Sequence, residues 1–98
     1  MKNIIQNLDK AFDNKIRLGI MSVLSVNSRA TFNQLKEELD LTDGNLASHL
    51  KALEKAEYVS VTKTFNDRKP NTSYEITDAG KAAFERHLLA LEEILKQL

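Results

Sequence analysis

The sequence contains no cysteine, which excludes both a disulfide framework and a cysteine-based zinc site. Only three glycines and one proline occur among its 98 residues, so long linkers and disordered tracts are not expected. No apolar run approaches the roughly 18 residues that a membrane span requires, and Asp9 soon interrupts the short apolar stretch after Lys2. The sequence therefore predicts one soluble, cytoplasmic domain over residues 1–98, without a signal peptide.

The motifs of common enzymes are also missing. The sequence has no glycine-rich phosphate loop, no cysteine nucleophile and no serine–histidine–acid spacing. Its two histidines, His49 and His87, have no third ligand such as a cysteine or a nearby His-x-x-His motif, which disfavours a metal site. We therefore expect neither an enzyme nor a bound metal or cofactor.

The sequence also lacks an excess of positive charge, since 14 basic side chains balance 14 acidic ones. A strongly basic domain would attract phosphates through its overall field, and this chain does not. The charges are distributed unevenly, however. Residues 44–74 include five basic and three acidic residues (net +2), whereas residues 78–98 include three basic and four acidic ones (net −1). This asymmetry favours the middle of the chain for phosphate contacts.

The apolar residues that are present begin with a helical period. From Ile4 to Ser25 they recur at three- and four-residue intervals, interrupted at Asp13–Asn14. Asn14 is suited to cap a second helix that begins at Lys15. Gly19 inside this helix lowers its stability by up to about 1 kcal/mol relative to alanine, so we expect a neighbouring helix to approach it closely.

Two helices joined by about three residues follow. Thr31 and Gln34 form a Thr-x-x-Gln capping box that predicts a helix ending near Asp40. Thr42 predicts the next cap, for a helix over Asp43–Ala56. The buried face of that second helix is predicted to carry Leu46, Leu50 and Leu53. The segment 31–56 therefore predicts a helix-turn-helix.

The period then changes to two. Residues 58–65 alternate apolar and polar side chains and predict a strand. Residues 66–71 have turn chemistry and predict a six-residue loop, and residues 72–76 predict an antiparallel return strand. Thr77 or Asp78 caps a last helix that reaches Leu98. The predicted fold is mainly α-helical with a small β-hairpin: four helices, a hairpin at 58–76 and a final helix at 78–98.

These motifs resemble a known family. The segment 41–55, LTDGNLASHLKALEK, resembles the recognition helix of winged-helix regulators. Further marks are Arg68-Lys69-Pro70-Asn71-Thr72 with Tyr74 in the hairpin, Ile76-Thr77-Asp78-Ala79-Gly80 at the last helix, and Ile16-Arg17-Leu18. Over residues 8–95 the chain is similar to small MarR/ArsR-like DNA-binding transcriptional regulators, which implies a winged helix-turn-helix in which the hairpin is the wing.

One departure from the family concerns Glu57, which follows the recognition helix where a glycine is usual. That glycine normally adopts a left-handed conformation. Glu57 therefore implies either strain on the order of 1 kcal/mol or a different exit from the helix.

The helical pattern and the resemblance together predict the DNA-binding residues. Opposite its leucines, the second helix carries small, amide and basic side chains that fit a major groove, although an ordinary solvated face is the alternative. The basic hairpin residues would contact phosphates or the minor groove, or merely keep an exposed edge soluble. His49 is equally compatible with a DNA contact and with a structural role. The predicted DNA-binding residues are Thr42, Gly44, Asn45, Ser48, His49, Lys51, Lys55, Lys63, Arg68 and Lys69.

The last helix carries an apolar heptad stripe that either packs on the domain's own core or joins two copies of the chain. A small helical core cannot easily cover a helix that continues to Leu98, which favours self-association. The predicted dimerisation residues are Ile4, Ile5, Leu8, Phe84, Leu88, Leu91, Leu95 and Leu98. The terminal helices at both ends of the chain are thus expected to form a homodimer.

The function expected from this reading is sequence-specific binding of double-stranded DNA by a dimeric transcriptional regulator that acts as a repressor. The alternative is a winged helix that binds a protein and not DNA, which the zero net charge would suit. Such a protein should expose apolar residues opposite the leucines of the second helix. The sequence does not indicate a small-molecule effector, and one would have to bind at the dimer interface.

Overall fold

The computed structural model describes residues 4–98, apart from the side chain of Asn66. Within that range, a short 3₁₀ helix at Lys10–Phe12 precedes four α-helices and three strands. In chain order these are α1 (Lys15–Asn27), β1 (Arg29–Thr31), α2 (Phe32–Leu39), α3 (Asp43–Lys55), β2 (Val59–Asn66), β3 (Lys69–Ile76) and α4 (Asp78–Lys96). The strands form one antiparallel sheet in the order β1-β3-β2.

The predicted starts of the four α-helices are confirmed, and each depends on a local hydrogen bond. The side chain of Asn14 accepts the backbone N–H groups of residues 16 and 17 at the start of α1. Thr31 and Gln34 form the reciprocal capping box of α2, Thr42 caps α3, and Thr77 caps α4. The predicted helix-turn-helix is therefore present as α2 and α3.

The core is built mainly from the inner faces of α1, α2 and α3. Its fully buried side chains are Ile20, Met21, Leu24, Leu35, Leu46, Leu50 and Leu53. The close approach predicted at Gly19 is confirmed, because a Cβ atom there would lie 3.0 Å from Cδ2 of Leu39 in α2. This packing holds α3 against the core with one face outward.

The predicted helix from Ile4 to Asp13 is wrong. Residues 4–7 form a turn, and only Lys10–Phe12 are helical, in a 3₁₀ helix. The backbone N–H of Asp9 donates to Nδ1 of His87 at 2.9 Å, and its carboxylate accepts the Tyr58 hydroxyl at 2.7 Å. These long-range bonds hold Asp9 in an extended conformation that a continuous helix would not allow.

The six-residue hairpin loop is also wrong. The β2–β3 pairing continues to Asn66 and Lys69, which leaves a two-residue turn of Asp67 and Arg68 with φ angles of 50° and 67°. Two left-handed residues match the right-handed twist of a hairpin and keep the wing narrow. Pro70 is tolerated because β1 pairs with β3 only at residues 73–75, so β3 has an open edge at Pro70.

The sequence pattern did not predict β1. This strand has three residues, of which only Ala30 is buried, so it is too short to show an alternating pattern. Ala30 lies opposite Tyr74 of β3, and Arg29 forms an ion pair with Glu75 of the same strand. The strand therefore depends on the wing for its pairing and ties the start of α2 to β3.

Of the two alternatives that the sequence predicts for the end of α3, the structure shows the strained one, with Glu57 in the left-handed conformation. Glu57 has a φ of 65°, its N–H donates to the carbonyl of Glu54 at 2.9 Å, and the N–H of Tyr58 donates to the carbonyl of Leu53 at 3.0 Å. This is the bonding pattern of a helix that ends in a left-handed residue. The Thr77 hydroxyl donates to the Glu57 carbonyl at 2.7 Å and supports the conformation.

Helix α4 packs against the chain just after α3. A Cβ atom added to Gly80 would overlap the carbonyl oxygen of Tyr58, so only glycine allows this approach. Phe84 is 4% exposed and packs edge-on against Phe12, with ring centroids 5.4 Å apart. The prediction of Phe84 as a dimerisation residue is therefore wrong, because its ring is buried inside the single chain.

Candidate nucleic-acid interface

Helix α3 divides its residues between two faces. Leu46, Leu50 and Leu53 are at most 1% exposed and anchor the helix to the core. The opposite side carries Gly44, Ser48, Lys51 and Lys55, and Asn45 flanks it. We call these five exposed residues the free face of α3. No large apolar side chain is exposed on this helix, all of whose residues the structure describes. The free face therefore lacks the apolar residues expected of a protein-binding winged helix.

The start of α3 is arranged to tolerate an anion. Thr42 Oγ1 accepts the N–H of Asn45 at 3.3 Å, and its hydroxyl proton is still available to a phosphate. Asp43 in the first turn would repel a phosphate, but its Oδ1 lies 2.8 Å from Nζ of Lys36 in α2. The ion pair offsets the charge of Asp43 close to the positive end of the helix dipole.

Gly44 leaves the free face open at its first turn. No atom lies within 4 Å of a Cβ added there, so packing inside the chain does not require glycine at this position. The absence of a side chain exposes helix backbone to solvent on the side opposite the core. Another macromolecule could therefore approach the backbone closely at this point.

The five predicted basic contacts are all exposed. Lys51 and Lys55 lie on the free face of α3, Lys63 lies on β2, and Arg68 and Lys69 lie at the tip of the wing. Arg68 is the second residue of the two-residue turn, so its side chain stands at the outermost point of the hairpin. The positive side chains thus occupy two separate elements, helix and wing.

His49 lies at the edge of the free face and is half-buried. Its Nδ1 lies 3.2 Å from Nη1 of Arg17, whose Nε donates to the Ala11 carbonyl at 2.6 Å. Partial burial, and secondly the Arg17 charge, lower the pKa of His49 below its ordinary value of 6.5. The imidazole of His49 is therefore mainly neutral at pH 7, a state in which it can both accept and donate a hydrogen bond.

Two features near the predicted site, the side chains of Phe65 and Arg17, were missed from the sequence. Phe65 is 75% exposed on β2 and lies opposite Pro70, beside the wing tip. Strand alternation could have found it, because Phe65 lies on the same side of β2 as buried Val59 but beyond the core. Arg17 was quoted only as part of a family motif, and its contact with α3 depends on tertiary packing.

The predicted dimerisation residues, Phe84 apart, are exposed or half-buried apolar side chains. On α4 the side chains of Leu88 and Leu95 are 45% and 67% exposed and Leu91 is half-buried, and Leu98, two residues past the end of the helix, is 89% exposed. We call these four residues the apolar surface of α4. At the other end of the chain Ile5 is exposed, and Ile4 and Leu8 are half-buried.

The side chain of His87 has a structural environment inside the chain. It is 4% exposed, accepts the Asp9 N–H on Nδ1 and packs edge-on against Phe12 at 5.1 Å between ring centroids. Among residues 4–98 no group of three or more histidine, aspartate or glutamate side chains is placed to hold a metal ion. No helix in the same range is long and apolar enough to cross a membrane.

Comparisons with known proteins agree with this geometry. Residues 16–95 match the family described as "Winged helix DNA-binding domain". The chain is 35% identical over 89 residues to an uncharacterised protein of Methanocaldococcus jannaschii, an alignment that covers 91% of this chain and 97% of the relative.

Two solved structures extend the comparison. A transcriptional regulator homologue from Pyrococcus horikoshii is 37% identical, with a TM-score of 0.90 and coverage of 99% of this chain and 97% of that one. A MarR protein from E. coli is 19% identical with a TM-score of 0.78, covering 96% of this chain and 68% of that one, which shows a shared fold only. The chain thus belongs to the winged helix DNA-binding domain family, and the predicted resemblance to MarR-like regulators is confirmed for the fold.

Proposed function

Because the chain belongs to the winged helix DNA-binding domain family and is a DNA-binding regulator of that class, we propose that it binds a specific double-stranded DNA sequence as a homodimer and represses transcription. Repression would follow from occupation of an operator that overlaps a promoter. The observation that carries the proposal is the free face of α3. Its residues are small, polar or basic and exposed, while the other side of the same helix is fully buried.

The free face suits a major groove in both shape and chemistry. The groove is about 12 Å wide and accepts a helix most readily where the side chains near its N-terminus are short. Gly44 and Ser48 are short, and the amide of Asn45 can pair with both N6 and N7 of adenine. Lys51 and Lys55 follow along the helix, where their ammonium groups can reach the phosphates that border the groove.

The wing adds a second contact. Arg68 at the turn and Lys69 beside it can reach a phosphate or the adjacent minor groove while α3 occupies the major groove. In a homodimer formed through the apolar surface of α4, two such units are related by a two-fold axis. The preferred sequence should then contain two related half-sites about one helical turn, roughly 10 base pairs, apart.

Selection from a random duplex library tests the proposal. The wild type should enrich one two-fold-related sequence, whereas Asn45→Ala should lose about 1–3 kcal/mol of discrimination at one base pair in each half-site. Asn27→Ala is the matched control, because Asn27 is an exposed asparagine of α1 outside the helix-turn-helix and the wing. Both variants should keep the wild-type melting temperature within a few degrees.

Three results would contradict the proposal. Failure of the wild type to enrich any sequence would refute sequence-specific binding. An unchanged preference in Asn45→Ala would refute base reading by that residue, and a large loss of thermal stability would make Asn45 a structural cap. Repression is tested separately, with the selected sequence placed at a promoter in a purified transcription reaction, where increased transcript would indicate an activator.

A further inference from the structure

The side chain of Arg17 connects the N-terminal segment to α3. Its Nε donates to the carbonyl of Ala11 in the 3₁₀ helix at 2.6 Å, and its Nη1 donates to Nδ1 of His49 at 3.2 Å. The guanidinium is planar and rigid, so two simultaneous bonds fix its position and plane. The ring of His49 therefore contacts a guanidinium whose position is already fixed by the carbonyl of Ala11.

This contact determines where the proton of His49 lies. Arginine can only donate hydrogen bonds, so Nδ1 of His49 is the acceptor and carries no proton. A neutral imidazole with a bare Nδ1 has its proton on Nε2. His49 is only half-buried, so the structure does not enclose the ring completely.

We propose that Arg17 is a positioning residue for DNA binding, which holds the imidazole of His49 in one tautomer and one orientation so that Nε2–H donates to a phosphate oxygen. The inference rests on the proposed function, since it requires a duplex at the free face of α3. A phosphate is the expected acceptor because His49 lies at the edge of that face. Residues at its centre point into the groove, whereas residues at its edge meet the backbone that borders the groove.

The neutrality of the imidazole gives the inference a distinctive consequence. A lysine or arginine that contacts a phosphate releases a counterion, and its loss lowers the slope of log K against log salt by about 0.9. A neutral N–H donor releases none. Loss of the Arg17–His49 contact should therefore weaken binding while it leaves the salt slope unchanged.

The first measurement is made on the full chain without DNA. Long-range ¹H–¹⁵N spectra should show an unprotonated Nδ1 and a protonated Nε2 for His49 in the wild type. In Arg17→Met, which has no donor, the two nitrogen shifts should move towards the averaged values of exchanging tautomers. A wild-type ring protonated on Nδ1, or one already averaged, would overturn the inference whatever the DNA result.

The second measurement is the affinity for the selected duplex. Arg17→Met should bind about tenfold more weakly, as expected for a lost hydrogen bond in each of two protomers. Arg17→Lys keeps the charge but cannot reproduce the fork, so it should be weakened similarly. When His49 is already replaced by alanine, Arg17→Met should lower the affinity for the duplex by less than about a further twofold, because Arg17 acts through the His49 ring.

The outcomes separate the inference from the proposed function. If the wild type binds no duplex, the proposed function fails and the role of His49 fails with it. If the wild type binds and Arg17→Met leaves its affinity unchanged, only the inference fails. Full recovery by Arg17→Lys, or a lower salt slope in Arg17→Met, would show that the Arg17 charge itself contacts DNA and would also overturn it. Melting curves of each variant confirm that the compared proteins are folded.

Discussion

Helices α3 and α4 both bury one face in the same core, but they leave opposite kinds of surface exposed. The free face of α3 carries glycine, asparagine, serine and lysine, whereas the apolar surface of α4 carries leucines that are up to 89% exposed. Burial alone therefore does not distinguish the two helices. The chemistry of the unburied side does: a small polar face suits a nucleic acid, and an exposed apolar stripe suits a second copy of the chain.

The two helices also use glycine in opposite ways. Gly80 in α4 lies on the inner face, where a Cβ atom would collide with the carbonyl oxygen of Tyr58. Gly44 in α3 lies on the outer face, where nothing within 4 Å would meet a Cβ atom. The first glycine is required by the fold and the second is not. Their difference makes it possible to test stability and binding independently.

The largest expected effect concerns the apolar surface of α4. The double substitution of Leu88 and Leu95 by glutamate should weaken the proposed dimer by more than about 1,000-fold, roughly 4 kcal/mol, because a two-fold interface contains each change twice. Sedimentation velocity should then show a folded monomer. Val26→Glu is the matched control, since Val26 is 84% exposed and lies on α1. A double variant that remains a dimer would place the interface elsewhere.

A somewhat smaller effect is expected for Gly80→Ala. The added methyl group meets main chain that cannot move without displacing α4, so the free energy of unfolding should fall by about 3 kcal/mol. Urea denaturation of Gly80→Ala and Gly44→Ala measures the contrast directly. Gly44→Ala should be as stable as the wild type or up to about 1 kcal/mol more stable. Equal destabilisation by both substitutions would mean that the outer face of α3 is packed against something.

These stability differences also show which features local sequence could predict. The caps at Asn14, Thr31, Thr42 and Thr77 and the buried leucines of α3 depend on residues within one or two turns. They are therefore visible in the sequence. The requirement for glycine at residue 80 is not visible in the local sequence, because it depends on the backbone carbonyl of Tyr58, 22 positions earlier in the chain.

The two wrong predictions, the helix that begins at Ile4 and the six-residue hairpin loop, also concern segments whose conformation depends on contacts with other parts of the chain. The apolar period from Ile4 onward indicated a helix, but Asp9 is held in an extended conformation by two hydrogen bonds, one that its N–H donates to His87 and one that its carboxylate accepts from Tyr58. The hydrogen bond to Asp9, and secondly burial, raise the pKa of Tyr58, which keeps its hydroxyl protonated as the donor. The polar residues of the wing indicated a long loop because turn chemistry does not show how far pairing continues.

The sequence predicted the residues of the candidate site, but it did not predict the tertiary contacts that support them. All ten predicted DNA-binding residues lie on α3, its cap or the wing, and each is exposed except His49, which is half-buried. Their role in DNA binding stays a prediction. The contact between Arg17 and His49 spans 32 positions, and no local pattern indicates it.

A moderate effect is expected when Gly44 is changed and DNA binding is measured. If the helix backbone approaches the duplex at this position, the methyl group of Gly44→Ala should lower the affinity by about tenfold without lowering stability. The comparison with Ala47→Ser, another small change on an exposed residue of α3 outside the free face, controls for altered helix surface. Fluorescence anisotropy with a labelled duplex measures both. Unchanged affinity would mean that this turn of α3 stays away from DNA.

The smallest expected effect is the pH dependence contributed by His49. Its pKa is lower in the folded chain than the ordinary 6.5, so the unfolded chain takes up its proton first as the pH falls. The stabilisation is complete above pH 6.5 and is lost as the pH falls through the folded-state pKa. Between pH 7.5 and 5.5, the wild type should therefore lose more thermal stability than His49→Gln. An equal loss would show that the His49 pKa is not lowered by folding.

The contrast between the two helices is tested most directly by one NMR titration. Backbone amide shifts of the ¹⁵N-labelled protein would be followed as the selected duplex is added. The largest changes should occur at the free face of α3, at Gly44, Ser48 and Lys51, and at Arg68 in the wing. The amides of Leu88 and Leu95 of α4 should remain unchanged. Changes concentrated on α4, with the free face of α3 unaffected, would contradict the account.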